Sequence, residues 1–142
     1  MIFVSLTRLR LRSVRLLPSF LFHLFLTVRQ IKRSPGFQKG ALLSDRRLTF
    51  WTLTAWDSVE SMRQYITTGS HKAVMPYLLD WCDEASVAHW SQLDTKLPSW
   101  LEAGTRMRND GRASKVRDPS PHHASLLFTS PRTIASVKIR PS

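Results

Sequence analysis

The chain has 142 residues, of which 42% are hydrophobic, and it contains five tryptophans and carries a net charge of +11. This size and composition fit a single domain with a substantial core, to which a tail can be attached. The only cysteine is Cys82, which excludes an internal disulfide and any zinc site built on paired cysteines. We therefore expect a reducing compartment and a cytoplasmic protein.

The charge is unevenly distributed. No acidic residue precedes Asp45, the centre of the chain is acidic, and the segment after Arg106 is basic again. Such a distribution can attract nucleic acid or an anionic membrane, but a solvated basic rim is the simpler interpretation, because charge alone specifies no partner. An RNA-binding sheet would interleave basic and aromatic residues, whereas the central tryptophans lie among acids, so we expect no specific nucleic-acid site.

The chain opens with a predicted strand, IFVSLTRLRL, followed by an apolar run from Leu16 to Val28. The run is shorter than the roughly 20 residues that a membrane-spanning helix needs, and no small-residue cleavage site follows it, as a signal peptide would require. Its leucines recur at helical spacing, which predicts a helix over residues 18–33 laid on a sheet. A helix lying on a membrane surface is the alternative.

A hairpin is predicted next, with strands at residues 41–44 and 48–56 joined by a turn at 45–47. Neither face of the second strand is polar, since Phe50, Trp56 and two threonines alternate with Trp51, Leu53 and Ala55. A sheet covered on one side shows a polar outer face. This strand therefore needs cover on both faces, from helices on one side and from a second sheet, a partner subunit or a ligand cavity on the other.

The segment DSVESMRQYITTG predicts a helix with Asp57 as its N-cap and Gly69 as its C-terminal stop. Ser70 is predicted to cap a second helical segment, which Pro76 kinks or divides. The sequence EASVAHW then forms the last strand, with Ala85, Val87 and His89 on one face and Ser86, Ala88 and Trp90 on the other.

The resulting order is β-α-β-β-α-β, an α+β ferredoxin-like arrangement with an antiparallel sheet and helices on one face. A further amphipathic helix is predicted over residues 99–108. We place one domain at residues 1–104 and a basic tail at 105–142, which we expect to be disordered in isolation because its periodicity is lost.

Several segments carry a resemblance to a known family, the most specific being FWTLTAWDS, GSHKAVMP and WCDEASVAHW. Residues 2 to about 92 resemble a family of uncharacterised bacterial proteins of the dimeric α/β-barrel, antibiotic-biosynthesis-monooxygenase-like type, similar to relatives of spheroidene monooxygenase. The resemblance implies two protomers that place their sheets face to face around a cavity. Proteins of this type oxidise polycyclic or phenolic substrates without a cofactor, bind or degrade haem, or have no known activity, so fold alone does not decide function.

The family resemblance and the local chemistry together indicate a set of candidate site residues. His71 follows a predicted helix start, where the helix dipole disfavours the imidazolium, so a neutral ring can act as a base or proton relay. Arg8 would orient an anionic or enolate group. The predicted ligand contacts are Trp51, Trp56, His89 and Trp90. The plainer interpretations are a surface histidine for His71, a core histidine for His89, and core tryptophans.

Cys82, Asp83 and Glu84 are adjacent but are poorly arranged as metal ligands, because neighbouring side chains of an extended segment point to opposite faces. We expect a buried cysteine and two acids that either bond nearby backbone groups or pair with Arg8 or Arg12, and no metal site.

These observations favour a monooxygenase-like oxidoreductase acting on a flat hydrophobic small molecule in a cavity between sheet faces of a homodimer, with no cofactor or with haem. Whether the chain is catalytic stays open. One alternative is a non-catalytic protein that binds haem or another hydrophobic ligand, and a second is a basic protein associated with a membrane or nucleic acid. No phosphate-binding glycine loop, HExxH motif or GxSxG elbow is present in the sequence.

Overall fold

The computed structural model describes residues 1–132 and 135–142, and it confirms the ferredoxin-like α+β arrangement. The elements of the β-α-β-β-α-β unit are β1 (Ile2–Leu11), α1 (Leu17–Lys32), β2 (Phe37–Asp45), β3 (Thr49–Trp56), α2 (Val59–Ile66), α3 (Gly69–Trp81) and β4 (Cys82–Gln92). They are followed by α4 (Trp100–Asp110), β5 (Arg112–Ala113) and β6 (Ser136–Ile139). The six-stranded sheet has the order β5-β4-β1-β3-β2-β6, and each pair of neighbours is antiparallel.

The two faces of the sheet follow from strict alternation along the central strands. Helices α1, α2 and α3 cover one face, as predicted, and we call this the helix face. On β1 the helix face carries Phe3, Ser5, Thr7 and Leu9, which pair in register with Trp56, Thr54, Thr52 and Phe50 of β3. The side chains on the other face of β1 and β3 are also largely apolar, so this second face must be shielded from water as well.

Helix α4 covers that second face, which we call the α4 face. Its inward residues recur at a spacing of three and four, and they are Trp100, Ala103, Gly104 and Met107. Trp100, Ala103 and Met107 belong to one buried cluster with Val4, Leu6 and Leu53. Cover for the second face therefore comes from the same chain. A barrel dimer formed through this face would require α4 to move away, and homodimerisation stays a prediction.

Local chemistry corrects the predicted start of α2. The N-cap is Ser58 and not Asp57, because Ser58 has an extended backbone and its hydroxyl accepts the Ser61 amide at 3.2 Å. The Asp57 carboxylate instead accepts the hydroxyl of Ser61 at 2.6 Å. Asp57, one residue before the N-cap, thus supports the first turn of α2 through Ser61.

The predicted break in α3 is also corrected. Pro76 lies inside one continuous helix, Gly69–Trp81. Gly69 does not end α2, which stops at Ile66, but begins α3 with a φ of 57° that favours glycine. Ser70 is not the N-cap of α3, which falls at Thr68 with no side-chain cap of its own. The Gln30 side chain of α1 supplies the missing cap by accepting the His71 amide.

The boundary that the sequence suggested after residue 104 falls inside α4. Beyond it, β5 pairs with β4 and β6 pairs with β2, at the two edges of the sheet. These strands are too short to show periodicity, and their backbone hydrogen bonds come from the edges that they extend. Within the described residues, no helix combines the length and apolarity needed to cross a membrane.

Docking of α4 can be tested through Met107, which is fully buried. Met107→Ala should lower the free energy of unfolding by about 2–5 kcal/mol, because it leaves a cavity beneath the helix. The matched control is Leu101→Ala on the same helix, where the side chain is 58% exposed, and its effect should stay within about 0.5 kcal/mol. Denaturant unfolding monitored by tryptophan fluorescence measures both, and equal small effects would show that α4 is not docked.

Candidate functional site

A cavity of about 380 Å³ lies between the helix face of the sheet and helices α1, α2 and α3. Its volume is within the range of roughly 300–1,000 Å³ that is usual for small-molecule sites. Most of its wall is apolar, with Phe20, Leu24, Phe50 and Trp56 among the lining residues. Three histidines, His23, His71 and His89, also line it. This cavity lies between a sheet and its own helices, whereas the predicted cavity between the sheet faces of two protomers stays a prediction.

His71 is the best-placed base in the cavity. Its Nδ1 lies 3.2 Å from the Ile66 carbonyl oxygen, which can only accept, so Nδ1 carries the proton and Nε2 keeps its lone pair. Burial lowers the pKa of His71, and the hydrogen bond to Ile66 opposes this only in part. The ring is therefore neutral near pH 7, as a general base should be. The sequence predicted the same neutral ring from a different cause, the dipole of the helix that begins there.

Gln30 of α1 fixes the backbone from which His71 projects. Its Oε1 accepts the His71 amide at 2.8 Å, and its Nε2 donates to the carbonyls of Tyr65 and Thr68 at 3.0 and 2.9 Å. One side chain thus caps α3 and also donates to two carbonyls at the α2–α3 junction. A Cβ at Gly69 would lie 3.1 Å from the Gln30 amide, so glycine also gives this side chain its space.

Tyr65 packs edge-on against His71, with ring centroids 4.9 Å apart. Its other ring neighbour is Trp56, at 5.3 Å. Burial raises the pKa of Tyr65, and the contact with Thr27 only partly offsets this. The phenol therefore stays protonated and offers a hydrogen-bond donor beside the base. Neither Gln30 nor Tyr65 was predicted, because both act across helix contacts that no local pattern encodes.

Hydroxyl groups form a polar strip on the sheet floor of the cavity. Ser5 lies opposite Thr54, and Thr7 lies opposite Thr52, on the helix face of β1 and β3, and all four line the cavity. Thr54 is partly engaged, since its hydroxyl accepts the Trp56 indole N–H at 3.0 Å. The sequence shows short hydroxyl residues at alternate positions of both strands. Only the register between β1 and β3 reveals that they lie opposite one another.

His89 lies at the exposed side of the cavity, with its ring 5.4 Å from that of Phe3. Burial lowers the pKa of His89, and the positive charges of Arg112 and Arg63 lower it further. Two cations and a neutral imidazole thus border this side. Such a border favours an anionic or electron-rich group on a ligand.

The structure divides the predicted site residues between the two faces of the sheet. His71, Trp56 and His89 line the cavity. Arg8, Trp51 and Trp90 have the opposite parity and lie on the α4 face, so they do not contact a ligand in this cavity.

Each of the three separated residues has a partner on the α4 face. The Arg8 guanidinium binds Glu84 at 2.7 Å and lies 4.5 Å from the centroid of Phe128. The Trp51 indole donates to Asp45 at 3.0 Å. Trp90 lies beneath the Arg106 guanidinium at 4.4 Å. These contacts are those of a covered sheet face.

A β-bulge rearranges the acids that the sequence had separated by parity. Arg10 is in register with Glu84 and Leu11 with Cys82, which leaves Asp83 as the extra residue. Both acids therefore reach Arg10, with Asp83 at 2.7 Å and Glu84 at 3.2 Å. The expected pairing of Glu84 with Arg8 is confirmed, whereas Arg12 instead donates to the Asp80 carbonyl at 2.6 Å.

Burial would raise the pKa of Glu84, but hydrogen bonds from Ser120 and Arg8 and the charges of Arg8 and Arg10 together lower it. The prediction that Cys82 is buried is confirmed, and burial followed by the charge of Asp83 raises the pKa of its thiol to about 12. Such a thiol is not a nucleophile at neutral pH. Among residues 1–132 and 135–142, no cluster of three potential ligand side chains could hold a metal ion.

Haem, which the family resemblance allows, does not fit this cavity. The volume of about 380 Å³ is at the small end of ligand sites, and the Tyr65 ring, 4.9 Å from His71, packs against the most buried of the three imidazoles that line the cavity. A smaller planar molecule suits this volume better. We derive no chemistry through haem.

Comparison with known proteins gives the fold and no closer relationship. No protein-family model matches the chain, and no curated protein is significantly similar in sequence. A candidate antibiotic biosynthesis monooxygenase from Nitrosomonas europaea superposes with a TM-score of 0.60 and 14% identity, over 68% of this chain and 94% of its own. SnoaB, a cofactor-independent oxygenase from Streptomyces nogalater, gives 0.56 and 14%, over 68% and 98%. The chain therefore has the antibiotic-biosynthesis-monooxygenase fold.

Gln30 should matter for stability and for the order of the α2–α3 junction. Gln30→Ala leaves the His71 amide without its acceptor and removes one of the donors to the Tyr65 and Thr68 carbonyls, and we expect a loss of about 1–3 kcal/mol in unfolding free energy. Hydrogen exchange at the His71 amide should become faster. Gln64→Ala, an exposed glutamine on α2, is the matched control and should change neither quantity. Unchanged protection at His71 in Gln30→Ala would contradict the cap.

Acid should destabilise the fold through His71. The unfolded chain takes up a proton at the ordinary value of about 6.5, whereas burial lowers the pKa of His71 in the folded chain. His71 therefore does not lower the free energy of unfolding above about pH 6.5. Below that pH the unfolded chain binds the proton more readily than the folded chain, so stability falls. Between about pH 7.5 and 5.5, the wild type should lose more stability than His71→Gln. Parallel pH curves for the two proteins would exclude a buried neutral His71. His89 remains in both and does not affect the difference.

Proposed function

We propose that the protein is a monooxygenase-like oxidoreductase that binds a flat hydrophobic molecule in the cavity beneath α1, α2 and α3. The proposal depends on His71, which is neutral and half-buried. Its Nδ1 donates to the Ile66 carbonyl, so Nε2 is the nitrogen that is free to act as a base in an apolar cavity of about 380 Å³. The likeness in fold to a cofactor-independent oxygenase supports the same class of reaction.

The geometry suits oxidation of a substrate with an acidic C–H group next to a carbonyl, or of a phenol. Nε2 of His71 removes the proton, and the resulting carbanion or phenolate supplies the electrons that reduce O₂. One oxygen atom enters the substrate and the other leaves as water. An apolar cavity favours transfer from such an anion, because fixed protein groups and not bulk water surround it.

The polar strip on the sheet floor can stabilise the negative charge that develops on the substrate oxygen. Ser5, Thr7 and Thr52 line the cavity with hydroxyl groups that can donate a hydrogen bond. This is the role that the sequence had assigned to Arg8, which lies on the other face. Trp56 lines the cavity and can serve as an aromatic wall for a planar ligand.

The proposal is tested with a panel of anthrones and polycyclic phenols, following oxygen consumption and product by mass spectrometry. For anthrone, one O₂ gives anthraquinone and one water. His71→Gln should lower kcat by about 10²–10⁴-fold, the usual contribution of a general base, while the dissociation constant changes little. His122→Gln, at an exposed histidine outside the cavity, should leave the rate unchanged.

Two outcomes would count against catalysis by His71. An unchanged kcat in His71→Gln would remove its role as base. Tight binding of the panel without oxygen consumption would favour the non-catalytic alternative, a protein that binds hydrophobic ligands.

A further inference from the structure

The outer surface of α1 and α3 carries large apolar side chains that the fold leaves in water. Phe22 and Phe25 are each 59% exposed and Tyr77 is 50% exposed, and Leu21 and Met75 are also exposed. We call these five residues the α1–α3 patch. Scattered exposed apolar residues need no explanation, but a contiguous group of this kind marks an interaction surface.

The α1–α3 patch is continuous across the two helices. The ring of His23 lies 5.5 Å from Phe22 on the same helix and 5.8 Å from Tyr77 on α3. Tyr77 in turn stacks on Trp81 at 5.4 Å. The rings therefore form one aromatic surface that spans the groove between α1 and α3.

Positive charge surrounds this surface. Helix α1 contains no acidic residue, and Arg29 and Lys32 follow Phe22 and Phe25 on the same outward face, at spacings of three and four. The Arg29 guanidinium lies over the Phe25 ring at 5.9 Å. Arg15, Arg33 and Lys72 are further exposed cations on or beside the two helices. The one acid of α3, Asp80, is paired with Arg117 at 2.6 Å.

We propose that the α1–α3 patch docks on an anionic lipid surface, with α1 lying in the plane of the interface. Aromatic and leucine side chains on one helix face, bordered by lysine and arginine, are the composition that such surface helices use. Negative lipid headgroups neutralise the surrounding cations, which adds favourable energy for each lysine or arginine near the surface.

A second copy of the chain is the competing occupant, and charge argues against it. Each copy carries a net charge of +11, and pairing through this surface would bring the cations around both patches together. Like charges at close range oppose association. An anionic surface meets the same cations with opposite sign.

Docking would also bring the cavity next to the lipid. His23 and Met75 lie at the patch and line the cavity as well, so an apolar molecule dissolved in the membrane would have a short path to the site. The docking itself does not depend on the proposed chemistry, and it is measured without any substrate.

The test uses the full chain and vesicles, with binding followed by co-sedimentation. Wild type should bind vesicles of equal parts phosphatidylglycerol and phosphatidylcholine at least tenfold more tightly than vesicles of phosphatidylcholine alone. Phe22→Ser/Phe25→Ser should weaken binding to the mixed vesicles at least tenfold, since two phenylalanines are no longer buried. Arg29→Gln/Lys32→Gln, which keeps the apolar residues, should also weaken it roughly tenfold. Higher ionic strength should act in the same direction.

The matched control is Leu93→Ser/Leu101→Ser, at leucines that are 81% and 58% exposed outside the patch, and its affinity should equal that of wild type. Circular dichroism and the unfolding midpoint establish that each variant is folded. The proposal is overturned if folded wild type does not bind the mixed vesicles, or if the phenylalanine variant binds as well as wild type. It is also overturned if the wild type fails to bind and sediments as a dimer that the phenylalanine variant dissociates, because the patch is then an interface between copies.

Discussion

Both faces of the central strands are apolar, and every other feature of the fold follows from the need to cover both. Alternation along β1 and β3 sends Trp56 and Phe50 to one face and Trp51 and Leu53 to the other. Helices α1, α2 and α3 cover the first, and α4 covers the second with Trp100 and Met107. Because the period of a strand is two, a residue cannot serve both sides. The cavity and the buried cluster on the α4 face are thereby kept apart by a single sheet.

The helix cover leaves a cavity because the sheet floor beneath it carries small hydroxyl side chains where bulkier apolar ones would fill the space. The α2–α3 junction above it is held by Gln30, whose amide satisfies three backbone groups from a third helix. This contact fixes the backbone at His71, while the Ile66 carbonyl fixes its tautomer. A base with a lowered pKa thus arises from burial together with hydrogen bonds that leave one nitrogen unused.

On the α4 face the charged residues are paired with one another. Arg8, Arg10, Asp83 and Glu84 are tied together by ion pairs of 2.7–3.2 Å, and Ser120 adds a hydrogen bond to Glu84. Buried ion pairs of this kind cost desolvation energy, and their net effect on stability is small or case-dependent, but removing one partner leaves an unpaired charge. The hydrogen bond from Ser120 to Glu84 also attaches the segment after α4 to β4, which extends the cover of this face beyond the helix.

The sequence by itself determined the order of elements over residues 2–92, the parity of β1 and β3, and the burial of Cys82, because strand periodicity is a local property, whereas His71 was singled out mainly by the family resemblance. The sequence could not decide whether the second face of the sheet is covered by the same chain or by a partner. Apolar residues show that a face must be buried, but they do not show what buries it. Gln30, Tyr65 and the hydroxyl strip escaped prediction because they meet only through strand register and helix packing. Arg8, Trp51 and Trp90 were grouped with His71 by residue type, and the tertiary structure separated them because the sheet lies between. Contacts between distant segments are set by how elements pack, which no local pattern specifies.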